Sequence, residues 1–216
     1  MALIPEAAKE RLLHLMRLLE KHGGPITSAQ AELLTGWPSH RIRKDISYLV
    51  GAGSGEGEAS DPGGGSGLGS NSGYRADLLI PAIKKALDLE RRRRICLVGL
   101  GRLGSAFLNF SPAELGEFEL AAGFDTNVNR VEILPSRAPL YPAYKMAEII
   151  GRFSIEMALL CVPPGAAQGA AEKLAGAGIR GILNFAPVAL SLPPGIPVHN
   201  VYLADELRSL AIKMGN

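Results

Sequence analysis

The run VGLGRLG sets Gly99, Gly101 and Gly104 in the order GxGxxG, directly after the apolar stretch Ile95–Val98 and at the head of a helical stretch. In that setting each glycine has a task. Gly99 permits a tight strand-to-helix turn, Gly101 lets the backbone approach a pyrophosphate, and Gly104 lets helix and strand pack closely. The helix N-terminus offers unpaired N–H groups to phosphates, with Leu100, Arg102 and Leu103 in the same cradle. Asp125 ends the next strand candidate, 21 residues after Gly104. A carboxylate there accepts adenosine ribose hydroxyls and repels a 2′-phosphate, which selects NADH or NAD+ over the phosphorylated coenzymes. The competing reading is a glycine turn that binds nothing.

Two further runs, LCVPP and ILNFAPV, end strand candidates at Val162-Pro163 and at Asn184-Phe185-Ala186. The C-terminal ends of parallel strands are where doubly wound sheets place their ligands. Asn184 is a candidate hydrogen-bond partner for a carboxamide or ribose, and Phe185 and Pro187 for walls around a nicotinamide. A buried asparagine that caps its own strand is the alternative.

A different chemistry is written in RIRKDISY, residues 41–48. On a helix, Arg41, Lys44 and Ser47 share one stripe, with Arg43 beside it and Ser39 at the start, while Ile42, Ile46 and Leu49 face inward. A docked helix with a basic outer half is how a recognition helix meets the major groove; Arg reaches guanine edges and Lys holds phosphate. An ordinary solvated basic face fits these residues equally. The run Arg91–Arg94 reads as a solvated linker face, with a phosphate contact as the alternative.

The surrounding pattern supplies elements to position these groups. Residues 6–22 put Leu12, Leu15, Met16 and Leu19 on one helical face and stop at Gly23-Gly24-Pro25. Thr27 and Gln30 have capping-box spacing for a second helix, with apolar contacts from Leu33 and Leu34, ended by Gly36. Pro38 suits the first turn of a third helix, Ser39 to about Val50. Three short helices with tight turns form the helix-turn-helix layout. From Gly51 to Gly73, ten of 23 residues are Gly. Such a segment buries too little apolar surface to order itself and is expected to be flexible. Tyr74–Leu89 is again helical. From Arg94 onward, strand candidates Ile95–Val98, Glu119–Phe124, Met157–Val162, Gly181–Phe185 and Val198–Val201 alternate with helical stretches at about 102–110, 143–151, 165–176 and 203–214. That alternation predicts a parallel sheet covered on both faces.

Composition excludes several classes. The chain has 216 residues, suiting two small domains, and no uncharged apolar run long enough for a membrane span. Its start lacks a basic-then-apolar signal pattern. Cys96 and Cys161 sit in apolar runs and read as free thiols of a cytoplasmic protein. His14, His22, His40 and His199 have no ligand neighbours at metal spacing, so no metal is expected. The net charge of +2 is small for a nucleic-acid binder. DNA contact therefore rests on local placement of bases.

Taken together, IPEAAKERL, RKDISY, GRLGSA, FD at Asp125, VPPGAAQGAAEKLAGAGIRGILNFAPV and HNVYLADEL resemble, in this order, the Rex redox-sensing repressors of bacteria. The resemblance covers nearly the whole chain. It implies an α/β protein: an N-terminal winged helix-turn-helix domain (1–80, with 51–73 as a flexible wing loop), a Rossmann-like doubly wound parallel sheet (81–200), and a C-terminal helix swapped between subunits of a homodimer (201–216). It implies an operator DNA partner, released when NADH binds. By position, Gly99, Gly101, Gly104, Asp125, Val162, Pro163, Asn184, Phe185 and Ala186 line the dinucleotide, and Arg43, Lys44 and Ser47 touch DNA.

The departures are specific. The family wing carries an arginine suited to the narrow minor groove; here Tyr74 survives but glycine, serine and three acids replace the rest. The family couples redox state to DNA through an Arg–Asp–Tyr network. Arg17 matches the arginine, while Tyr202 and Phe110 occupy the other two positions, beside the dinucleotide. Besides the repressor, two readings stand: a dinucleotide-binding module without redox discrimination or DNA binding, and a small NAD-dependent oxidoreductase. The latter lacks a Ser-Tyr-Lys or His-Asp set and a substrate domain, so no enzyme is expected.

Overall fold

Leu12, Leu15, Met16 and Leu19 form the buried stripe of helix α1 (Glu6–His22) in the computed structural model, which describes residues 4–22, 24–51, 69–70 and 73–215. The chain divides into two units, residues 1–91 and 92–216.

In the first unit α1 is followed by α2 (Ser28–Thr35) and α3 (Ser39–Gly51). The capping box forms: Gln30 N–H donates to the Thr27 hydroxyl at 3.1 Å, and Thr27 N–H to the Gln30 side chain at 2.8 Å. Such a cap contributes about 1 kcal/mol. Gly36 closes α2 at φ 72°, a left-handed conformation that favours glycine. The expected core contacts of Leu33 and Leu34 are not made. Leu33 is 89% exposed and Leu34 half exposed, because α2 turns Ala31 inward instead. Leu33 lies about 200° around the helix from Ala31.

A short wing follows. Strands β1 (Gly69–Ser70) and β2 (Gly73–Tyr74) pair antiparallel, and Tyr74 also exchanges backbone bonds with Ile26 at 2.8 and 3.0 Å. A side chain at Gly73, φ 116°, would come within 3.0 Å of the Ile26 backbone, so glycine is required at this approach. Most of the loop expected to be flexible, residues 52–68, 71 and 72, lies outside the described residues.

Helix α4 (Ala76–Ala86) adds Leu79 and Ile83 to the core formed by α1, Ile26, Ala31, Ile42, Ile46 and Leu49. A boundary at residue 80 would cut this helix; its buried face places all of it in the first unit.

The second unit runs β3 (Arg93–Val98), α5 (Arg102–Phe107), α6 (Pro112–Leu115), β4 (Phe118–Asp125), α7 (Val128–Ile133), β5 (Leu140–Pro142), a 3-10 turn at Ala143–Lys145, α8 (Met146–Phe153), β6 (Met157–Leu160), α9 (Pro164–Gly176), β7 (Gly181–Asn184), β8 (Val198–Asn200) and α10 (Leu203–Met214). The six strands are parallel in the order β5-β4-β3-β6-β7-β8. Chain direction across the sheet reverses between β3 and β6, and a crevice opens at such a point. Phe124, Ile149, Ile150, Leu160 and Leu174 pack one face under α8 and α9. Leu97, Leu100 and Leu108 centre a smaller core on the other.

Sequence pattern missed β5, α6 and α7, which are too short to show a period. Strands β6 and β7 end before Val162 and Phe185, leaving both in the loops that rim the crevice. The basic run is not a free face: Arg93 lies 3.8 Å from Glu156, and Arg94 3.8 Å from Glu119 with a bond to the Phe153 carbonyl at 3.0 Å.

Candidate functional site

Gly99, at φ 91°, sits where β3 meets the loop after β6. A Cβ there would lie 2.6 Å from the Cys161 carbonyl oxygen. One on Gly104 would lie 1.8 Å from the Gly99 carbonyl oxygen. Both positions are closed to any side chain by backbone, so the fold alone demands these two glycines. Gly101 differs: a Cβ there meets nothing within 4 Å. Its missing side chain leaves open space in front of the α5 N-terminus, at the sheet's switch point. Doubly wound sheets receive their ligands at such a point.

Asp125 is only 5% exposed. Its two oxygens accept the backbone N–H of Leu100 and of Asn127, each at 2.7 Å, and Arg130 stands 3.5 Å away. The carboxylate thus ties the end of β4 to the glycine loop. Each oxygen keeps a second lone pair beyond these backbone bonds. Arg102 and Leu103 are exposed, and Val162, with Pro163 next to it, lies beside the glycine loop, its Cγ1 2.8 Å from where a Cβ on Gly99 would stand.

Asn184 departs from the role of a free donor. It is fully buried, and its amide is committed inside the protein. The Nδ2 group donates to the Val188 carbonyl and to Asn200 Oδ1, both at 2.9 Å, and Oδ1 accepts Ala186 N–H at 3.0 Å. Asn184 therefore shapes the 184–188 turn, the strand-capping alternative of the sequence reading. Gln168 braces the next stretch, accepting Ser191 N–H at 3.0 Å and donating to the Ser191 carbonyl at 2.8 Å. Tyr202 donates its hydroxyl to the Val188 carbonyl at 2.6 Å.

Phe185 packs on Phe107, ring centres 5.1 Å apart, and Phe107 meets Phe110 edge-on at 5.2 Å. Phe110 also borders a cavity of about 130 Å³ with Leu108, Leu115, Phe118 and Arg137. Phe107, Gln168 and Pro187's neighbour Val188 were not singled out from sequence; only the i, i+3 spacing of Phe107 and Phe110 hinted at the aromatic link. Cys96 and Cys161 are thiols pushed up to about 12 by burial, so neither is a reactive thiolate.

In the first unit Arg41, Arg43, Lys44 and Ser47 are exposed on α3 while Ile42, Ile46 and Leu49 are buried, as the stripe pattern requires. Glu32 accepts both the hydroxyl and, at 3.0 Å, the N–H of Ser39, and these bonds hold its carboxyl below the usual range. The contact links α2 to the start of α3. Arg43 reaches the Ser28 hydroxyl at 3.4 Å, a weak bond that leaves the guanidinium available. A stronger tie was not foreseen: Arg11 grips buried Asp45 through two bonds of 2.6 and 2.8 Å, fixing α3 against α1. Arg17 is exposed on α1. Among the described residues no cluster of His, Cys, Asp and Glu is arranged for a metal, and no helix is long and apolar enough to cross a membrane.

A winged helix-turn-helix unit in one chain with a doubly wound sheet, its glycine cradle at the switch point, defines a regulator that joins DNA contact to a dinucleotide fold. Comparison with known proteins agrees. The chain is 35% identical over 229 residues to the redox-sensing transcriptional repressor Rex of Thermus thermophilus, covering 99% of this chain and 95% of that one. It is 31% identical over 212 residues to Rex of Levilactobacillus brevis, covering 96% and 92%. It belongs to the Rex family of redox-sensing transcriptional repressors. The CoA binding domain family matches residues 90–188. Among solved structures, the Rex-family repressor RSP in complex with β-NAD+ and operator DNA superposes with a TM-score of 0.81 at 26% identity, covering 99% of this chain and 94% of that one. RSP in complex with β-NADH gives 0.79, covering 99% and 95%.

Proposed function

We propose that this chain represses transcription by holding operator DNA through α3, as a homodimer, and that NADH in the Rossmann crevice releases it. The single observation behind this reading is the open space at Gly101 between two glycines that packing demands. The fold needs Gly99 and Gly104 for itself, whereas a small residue at Gly101 serves a ligand. The residues fit the coenzyme. Gly99, Leu100, Gly101, Arg102, Leu103 and Gly104 form the phosphate cradle, and Asp125 takes the adenosine ribose. Val162, Pro163, Phe185, Ala186 and Phe110 wall the nicotinamide half, with Asn184 holding their loop in shape. The bound coenzyme supplies a difference between its reduced and oxidised rings; no catalytic step by this chain is proposed.

On the DNA side, Arg41 and Arg43 are assigned to base edges, and Lys44 and Ser47 to phosphates; Ser39, expected at the DNA from the sequence, instead gives its hydroxyl and N–H to Glu32 and holds the start of α3. Coupling follows from linkage: if NADH binds one conformation more tightly and DNA another, each weakens the other by the same factor. Arg17, Tyr202 and Phe110 are assigned to this switch.

The test is a gel shift against palindromic promoter DNA with NADH and NAD+ in parallel. Release by NADH but not NAD+ supports the reading. Binding that is blind to both identifies a redox-insensitive repressor, and no DNA binding identifies a dinucleotide module.

A further inference from the structure

The cavity of about 130 Å³ in the second unit lies at the opposite end of the sheet from the glycine loop. Arg92 immediately precedes β3, Phe118, Glu119 and Leu120 begin β4, and Arg137 and Ala138 lead into β5. Its walls therefore come from the N-terminal ends of three parallel strands. The glycine loop follows the C-terminal end of β3, and the six residues of that strand span about 20 Å. Phe110 is the residue this cavity shares with the proposed coenzyme site.

The floor is apolar. Leu108 and Ala138 are buried, with Leu115, Phe118 and Leu120 half-buried beside them. An apolar cavity of about 150 Å³ holds a benzene ring, so this one suits an apolar body of about six carbons. The rim is charged. Arg92 and Arg137 are exposed there, and among the described residues neither has an ion pair or hydrogen bond, unlike Arg93 and Arg94. The fold thus spends neither guanidinium on itself. Glu119, the third charged group of the rim, stands 3.8 Å from Arg94.

We propose that this cavity is a second ligand site, which takes a small monocarboxylate with an aromatic or branched body of about six carbons. The body packs on Leu108, Leu115 and Phe118, and the carboxylate meets Arg92 and Arg137. Three facts select this chemistry. The volume limits the body to a single ring or a short branched chain. Guanidinium groups pair with carboxylates through charge-assisted bonds in a matching planar geometry. Two cations against one anion leave the rim with a single positive charge, so a monoanion balances it, whereas a phosphate dianion is repelled by Glu119. The site does not depend on the coenzyme reading, since neither arginine is assigned to the crevice.

The experiment titrates benzoate into the full-length, nitrogen-15-labelled protein and follows the backbone amide resonances. Saturable binding is expected with a Kd of about 0.1–5 mM, the range open to so small a ligand. The largest shifts are expected at residues 108–120 and at 137 and 138, with little change at 99–104. Benzamide, which keeps the ring and lacks the charge, is expected to bind at least about tenfold more weakly. The double variant Arg92→Gln, Arg137→Gln is expected to lose at least about tenfold in benzoate affinity while its unliganded spectrum stays that of the folded protein, because both side chains are exposed. The proposal is overturned if benzoate fails to saturate, if the shifts centre on 99–104 or 184–188, if benzamide binds as well as benzoate, or if the double variant binds benzoate like the wild type.

Discussion

The carboxylate of Asp125, at the end of β4, accepts the backbone N–H of Leu100 at 2.7 Å, inside the glycine loop that follows β3. The acid expected only to meet a ribose is thus also a structural brace. Asp125→Ala leaves the Leu100 and Asn127 N–H groups without their partner. The cost is expected at about 1–3 kcal/mol of stability, together with loss of NADH affinity by more than about tenfold. Thermal unfolding and calorimetry report the two separately; a variant as stable as wild type would show that the brace carries no weight.

The glycines separate structure from ligand. Gly104→Ala drives a methyl group into the Gly99 carbonyl and is expected to cost about 3 kcal/mol or more. Gly101→Ala meets open space and is expected to change stability by less than about 1 kcal/mol. Only the second should fold normally and still lose NADH binding. Equal stability loss in both would contradict the assignment of Gly101 to the phosphate.

Breaking the Arg11–Asp45 pair leaves a buried charge. Asp45→Ala is expected to destabilise the first unit by about 2–4 kcal/mol, discounted from the full buried-pair range because Arg11 retains some water. Denaturant titration should show the loss, and NADH titration of the folded protein should not.

Arg43→Ala is expected to weaken operator binding by about 1–3 kcal/mol and relax sequence preference, whereas Lys44→Ala should reduce the salt slope by about one. Neither should alter NADH affinity measured without DNA. An unchanged Arg43→Ala variant in a fluorescence-anisotropy titration would move the interface off α3.

Cys96 gives a pH dependence. Burial pushes its thiol up to about 12. The folded chain therefore keeps a proton that the unfolded chain releases above its ordinary value near 8.5. The stability it lends is full below that value and declines as pH rises toward 12, with a limiting slope of about 1.4 kcal/mol per pH unit. Cys96→Ala should flatten this alkaline decline in denaturant midpoints taken from pH 8 to 11.

Much of this protein was legible in one dimension. The recurrence of Leu12, Leu15, Met16 and Leu19 fixes α1, and Thr27 with Gln30 fixes the start of α2. Gly99, Gly101, Gly104 and Asp125 locate the crevice. These signals are local: a helical period, a cap and a turn each depend on residues a few positions apart, which any chain displays before it folds. Local order also explains why β5, α6 and α7 escaped notice, since three to six residues hold fewer than two full periods of their element.

What only the folded chain decided is which groups meet across long separations. Leu33 faces water because Ala31 turns inward. Arg11 finds Asp45, and the Asn184 amide is consumed by Ala186, Val188 and Asn200. Leu79 and Ile83 assign α4 to the first unit. Each outcome depends on desolvation and on hydrogen-bond partners brought together by packing, and burial of a polar group is tolerated only where such partners arrive. Residue type names the candidates for that meeting; the three-dimensional arrangement selects among them.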